Sequence, residues 1–229
     1  METTDRKYRL FSGLLIVIMG IAAGISYGYV YNTLNSGSVE ETFENFQNSG
    51  GLFSVSIIGW FVVIICDLLV TWCLYKVYEE HNTKLSIWSA SFRLIYTVFL
   101  VLAVLSLVRI INTNSLNYTI LQHHLVMFET TWSWGLIFFG IHLILLGFLN
   151  LNSSIISRVI GIYLCIGGFA YTLFHSIIEL DILTLNELKT LEAVLITPMA
   201  TSEIIFALWL IGGSLHVKHH KRTRTEDVA

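Results

Sequence analysis

The sequence predicts an all-α polytopic membrane protein: one domain over 1–229, a bundle of six transmembrane helices, with both termini cytoplasmic. Three observations carry that expectation. Hydrophobic residues make up 55% of the chain and charged residues 13%, against about 25% charged in an ordinary soluble domain. The apolar residues fall in six runs, the clearest being Trp132 to Leu149, WSWGLIFFGIHLILLGFL. Third, the cations are distributed unevenly between the connections. Of thirteen Lys and Arg residues, only Arg109 and Lys189 fall on the face opposite the termini, which is the positive-inside pattern.

The elements follow in order. Arg6, Lys7 and Arg9 precede the first span, 10–30, which is longer than a signal-peptide apolar region of about 7–15 residues and lacks a clear small-x-small cleavage site, so a retained helix is expected. Gly20, Gly24 and Gly28 recur at helical spacing on one face of it. Such a stripe lets another backbone come close. Packing within the chain is the expectation, and a homo-oligomer seam is the alternative.

A polar loop, 32–50, carries Glu40, Glu41 and Glu44, and the second span, 52–75, is interrupted only by Asp67. The third span, 87–111, contains Arg93 and Arg109, and a polar loop at 112–131 holds His123, His124 and Glu129. The fourth span, 132–149, is long enough to cross a hydrocarbon core about 30 Å thick, and Trp132 and Trp134 sit where headgroups would meet it. Arg158 opens the fifth span, 158–178. The acidic stretch 179–197 reads as a connection that could run helically along the surface. Pro198 then opens the last span, 198–217, where its missing N–H costs little. Cys66, Cys73 and Cys165 lie inside apolar runs, with neither disulfide nor zinc spacing, and read as small core residues.

Charge at membrane depth is expensive unless it is paired. Asp67 and Arg93 lie on antiparallel neighbours at roughly 9–12 Å from the same end, counting 1.5 Å per residue, so a salt bridge between them is expected. His142 at mid-span and Glu203 on an otherwise apolar helix are the other interior candidates. Nearer the outer face, Arg109 and His175, with Glu203 on the same side and Glu129 at the margin, form a second candidate cluster, able either to line a pocket or to remain as wet interfacial groups. His216, His219 and His220 sit in a basic tail, unsuited to zinc, which needs deprotonated ligands. No metal site, phosphate loop or cofactor motif is expected, and the net charge of -3 gives no reason to expect nucleic acid. The expected partner is the lipid bilayer.

Several short motifs occur together: Cys66-Asp67; Phe92-Arg93-Leu94; Gly135 through His142 with Leu146-Gly147; Ser157-Arg158 with Gly161; Gly167-Gly168 with Tyr171; and Ser202-Glu203 followed by Ala207-Leu208-Trp209-Leu210. As an ordered set over nearly the whole chain, they resemble the bacterial integral-membrane family catalogued as domain of unknown function 4386. The resemblance implies a six-helix membrane protein and brings no established activity. It singles out Asp67, Arg93, His142, Arg158 and Glu203 as candidate interior positions. Two departures stand out: Ser157 where the family commonly has proline, and His175-Ser176 where it often has an aspartate-serine pair.

These residues lead to an expected multi-pass protein of the cell membrane with a non-enzymatic structural or regulatory role. A small proton-coupled carrier using Asp67, His142 and Glu203 is the alternative, and a membrane enzyme acting on a lipid is the third. A carrier needs a water-accessible cavity joining the two charge layers. A structural role needs those layers dry and paired.

Overall fold

The computed structural model describes residues 3–49, 51–113, 116–151 and 154–226. Among these residues there are seven helices and no strands. Helix α1 runs Thr3–Ala23, widens into π-helical turns over Gly24–Tyr31 and closes with a last turn at Asn32–Leu34. It is followed by α2 (Val39–Asn48), α3 (Leu52–Tyr78), α4 (Thr83–Asn112), α5 (Tyr118–Leu151), α6 (Ile155–Glu179) and α7 (Leu185–Glu226). Six of them (α1 and α3 to α7) are long and apolar enough to cross a membrane.

The helix starts are written locally. Asn82 accepts from the Leu85 amide at 3.1 Å, Asn117 from Ile120 at 3.0 Å, and Ser154 from Ser157 at 3.3 Å, each satisfying a donor that the first turn leaves free. Helix α2 begins with a capping box in which the Ser38 hydroxyl accepts from the Glu41 amide and the Glu41 carboxylate accepts from the Ser38 amide. The turn before it needs Gly37, whose φ of 86° is costly for any residue with a Cβ.

Three expectations about connections change. The loop expected at 32–50 contains α2. The loop expected at 112–131 is helical from Tyr118 onward, because Leu121, Leu125 and Phe128 form a buried stripe at helical spacing. The polar residues His123, His124 and Glu129 occupy other faces of the same helix. Pro198 lies inside α7 rather than at its start. The half-buried Leu188, Leu191 and Leu195 carry the helix through the acidic stretch, and the proline removes one interior donor.

Each spanning helix packs against its neighbours in sequence, and α1 closes on α7, so the six form a ring. The closure has three parts. The Arg6 Nε donates to the Ser214 carbonyl at 2.7 Å, and the Arg9 guanidinium lies 4.6 Å from the Trp209 ring centre. Beyond them, Gly13 lets α1 approach so closely that a Cβ there would stand 2.7 Å from the Ala207 carbonyl oxygen. The start of α1 and the Ser214 region of α7 therefore lie at the same end of the ring.

The tightest seam joins α5 to α6 through two reciprocal glycine pairs. A Cβ on Gly140 would lie 2.5 Å from the Gly168 carbonyl oxygen, and one on Gly147 would lie 2.6 Å from that of Gly161. The same contacts hold in the opposite direction, so the two backbones touch at points seven residues apart on each helix. Small residues permit this approach, which supplies dispersion contacts in a medium with no hydrophobic drive between helices. The stripe Gly20, Gly24, Gly28 behaves differently. It faces outward, with open space where each Cβ would be, so the expected packing within the chain is not made there. The three cysteines are free thiols, Cys66 buried and the other two partly so.

Candidate functional site

Arg93 stands at the centre of the ring, completely buried. Its guanidinium presents five N–H donors and no acceptor, and each of its three nitrogens is engaged. Nε donates to Asp67 Oδ1 on α3 at 2.8 Å, and Nη2 forms an ion pair with the same oxygen at 2.7 Å. Nη2 also donates to the Met19 sulfur on α1 at 3.8 Å. Nη1 donates to Glu203 Oε1 on α7 at 2.9 Å and to His142 Nε2 on α5 at 3.1 Å. One side chain from α4 thus holds α1, α3, α5 and α7. The Phe139 ring, 5.5 Å from the guanidinium carbon, closes one side by a cation–π contact.

The second oxygen of Asp67 is served from α4 itself: the Thr97 hydroxyl, one turn beyond Arg93, donates to Oδ2. The tautomer of His142 follows from its partners. A guanidinium cannot accept, so Nε2 must be the acceptor and the ring proton sits on Nδ1. That N–H donates to the Ser89 carbonyl at 2.9 Å, and the imidazole is neutral in this arrangement. Ser89, Arg93 and Thr97 recur every four residues on one face of α4. That periodicity was present in the sequence, but Ser and Thr carry too little hydropathy signal to stand out beside Arg93.

Asp67 and His142 are as fully enclosed as Arg93, whereas the Glu203 side chain keeps 15% exposure. Two carboxylates therefore surround one guanidinium and one neutral imidazole. Arg158, the fifth interior candidate, lies elsewhere. It is exposed at the start of α6 and donates through Nε to the Leu151 carbonyl at 3.1 Å, satisfying an unpaired acceptor at the end of α5.

The outer candidates separate as well. Arg109 is exposed at the end of α4 and joins neither Glu129 nor His175. Glu129 and His175 both line an open cavity of about 550 Å³ bordered by α1, α5, α6 and α7. Glu129 Oε1 accepts from the Tyr31 hydroxyl at 2.9 Å and from Asn35 Nδ2 at 3.3 Å. His175 Nδ1 lies 2.9 Å from the Ser133 hydroxyl. Tyr171, which lines the cavity, meets Phe139, the ring that covers the guanidinium, edge to face at 5.3 Å. On the other side of the network a void of about 10 Å³ touches His142 and Ser89, about the size that admits one water.

The sequence pointed to Glu129 and His175 but missed the walls that make them a cavity. Tyr27 is placed by the π-helical turns of α1, stacks on Tyr31 at 5.2 Å and meets Trp132 edge-on at 4.7 Å. Nothing in the local sequence announces a π-helical segment. Once present, it re-aims side chains in a way that a regular helix does not.

Ring and network together define a class, a six-span helical membrane protein with a closed interior tied by a buried arginine. The chain belongs to the family described as domain of unknown function DUF4386, whose model matches residues 11–212. It is also similar to an uncharacterized protein of Archaeoglobus fulgidus, 28% identical over 156 residues, which is 68% of this chain and 82% of that one. No solved structure matches it.

Proposed function

We propose that this is a non-enzymatic protein of the cell membrane with a structural or regulatory role, in which the Arg93 network is the clamp that holds the ring in one arrangement. One observation supports this reading above the others: all three guanidinium nitrogens are engaged, by partners on four helices, on a fully buried side chain. A group that binds substrate needs a free donor or acceptor, and none of the Arg93 nitrogens is without a partner. The cation distribution supports an orientation with both termini in the cytoplasm and the cavity opening outside.

The decisive experiment measures stability and flux on one preparation. Arg93→Leu should lower thermal stability in detergent sharply, and wild-type proteoliposomes under an imposed potential should pass protons no faster than protein-free vesicles. A proton flux that needs Glu203 would overturn the clamp reading.

That outcome would favour the second reading, a small proton-coupled carrier using Asp67, His142 and Glu203. It is supported by the imbalance of two carboxylates against one guanidinium and by the partial exposure of Glu203. A buried excess of one negative charge is costly in a low-dielectric site, and an exchangeable proton on Glu203 would relieve it.

A further inference from the structure

We propose that the outer cavity is a binding site for an organic ammonium ion carried on a small apolar body. Its volume of about 550 Å³ is that of a pocket for a small molecule, typically ~300–1,000 Å³. Its walls are aromatic: Tyr27, Trp132, Tyr171 and Phe174 come from three different helices. Aromatic ring faces attract cations, and most strongly those whose charge is spread and weakly hydrated.

The sign of the charge is set by the other lining residues. Glu129 from α5, Glu179 from α6 and Glu192 from α7 all border the cavity, and no Lys or Arg does. Glu179 and Glu192 have no hydrogen-bond or ion-pair partner among the described residues, and Glu129 has a second oxygen that accepts nothing from them. An anion would be repelled here. A neutral ligand would cover carboxylates without compensating them, which costs binding energy.

A metal ion is the other cationic possibility, and the geometry disfavours it. Among the described residues no three His, Cys, Asp or Glu side chains come close enough to ligate one ion. Carboxylates dispersed around an aromatic-walled space suit a diffuse charge on a bulky ligand. The paired Ser133 hydroxyl and His175 ring add one polar point on the α5–α6 wall to orient it.

The same ammonium chemistry has two sources, a choline- or ethanolamine-type lipid headgroup and a soluble amine. The test uses the full chain in phosphatidylglycerol nanodiscs, with benzyltrimethylammonium as probe and calorimetry as readout. Saturable binding is expected, at least tenfold tighter than that of the neutral isostere neopentylbenzene, with none for benzenesulfonate. Glu179→Gln with Glu192→Gln should weaken the cation at least tenfold and leave the neutral compound unchanged. If that pair of changes prevents folding, Glu192→Gln alone, at an exposed position, should still weaken the cation several-fold. Repeating the titration in phosphatidylcholine nanodiscs separates the sources: a several-fold weaker apparent affinity marks a headgroup competitor, and an unchanged one marks a soluble ligand. Either result upholds the ammonium site. Equal binding of the neutral isostere, indifference to the glutamates, or no saturable binding of the cation would overturn it.

Discussion

Arg93 and Glu203 are 110 positions apart, and their side chains meet at 2.9 Å. This contact joins α4 to α7 across the interior of the ring, and it sets two acids against one base. Because Asp67 already engages two of the guanidinium nitrogens, one by a hydrogen bond and one by an ion pair, Glu203 is the partner whose loss should be felt least.

The first prediction ranks the members of the network. Arg93→Ala should cost on the order of 3–5 kcal/mol by leaving Asp67 buried without a cation, whereas Asp67→Ala leaves the guanidinium paired with Glu203 and should cost about 1–3 kcal/mol by orphaning its Nε donor. Glu203→Gln keeps an acceptor for Nη1 and should cost about 1 kcal/mol or less. Equilibrium unfolding in mixed micelles measures all three. A double-mutant cycle on Asp67 and Arg93 should show strong coupling, and additivity there would disprove the clamp.

For His142, the tautomer makes a sharper prediction than burial alone. His142→Gln can still accept from Arg93 and donate to the Ser89 carbonyl, so it should stay close to wild type. His142→Leu orphans both and should lose about 1–3 kcal/mol. Equal losses in thermal unfolding would show that ring packing matters and the two hydrogen bonds do not.

Two sets of glycines should respond in opposite ways. Gly147→Val must push α5 away from the Gly161 carbonyl, and over-packing of this kind costs about 1–3 kcal/mol or more. Gly20→Leu projects into open space and should leave monomer stability unchanged. If the outward stripe Gly20, Gly24, Gly28 is a seam between copies, Gly20→Leu should shift the oligomer toward monomer in light scattering.

Orientation is tested by labelling in a background where Cys66, Cys73 and Cys165 are replaced by alanine. A cysteine at the exposed Gln47, on α2, should react with an impermeant maleimide added outside, and one at the exposed Thr83 should not. The reverse pattern would place the outer cavity in the cytoplasm.

Much of this was legible along the chain. Six apolar runs gave six spanning helices, because the cost of an unpaired backbone in lipid forces a long apolar run to be helical whatever its neighbours. The match in depth between Asp67 and Arg93 predicted a contact that the helices make. Helix lengths were less legible. Residues 118–131 carry polar groups that hid the apolar face keeping them helical, and 185–197 was readable as a surface helix but not as the first part of the last spanning helix. The Ser38 and Glu41 box was readable from its spacing, yet the surrounding polar residues obscured the short helix it starts.

What the sequence determined by itself is which segments enter the membrane and which polar side chains they take with them. Both are local properties, set by hydropathy over about twenty residues and by the cost of carrying a charge. Only the tertiary structure decided that Glu203 and His142 join Asp67 on one guanidinium while Arg158 stays outside, and that Glu129 and His175 share a cavity that Arg109 does not reach. Those outcomes depend on how α7 closes against α1 and on the rotation of each helix about its axis. Ring closure and rotation are fixed by contacts between distant residues, such as Gly13 with Ala207 and Gly140 with Gly168. No window along the chain contains both partners of either pair.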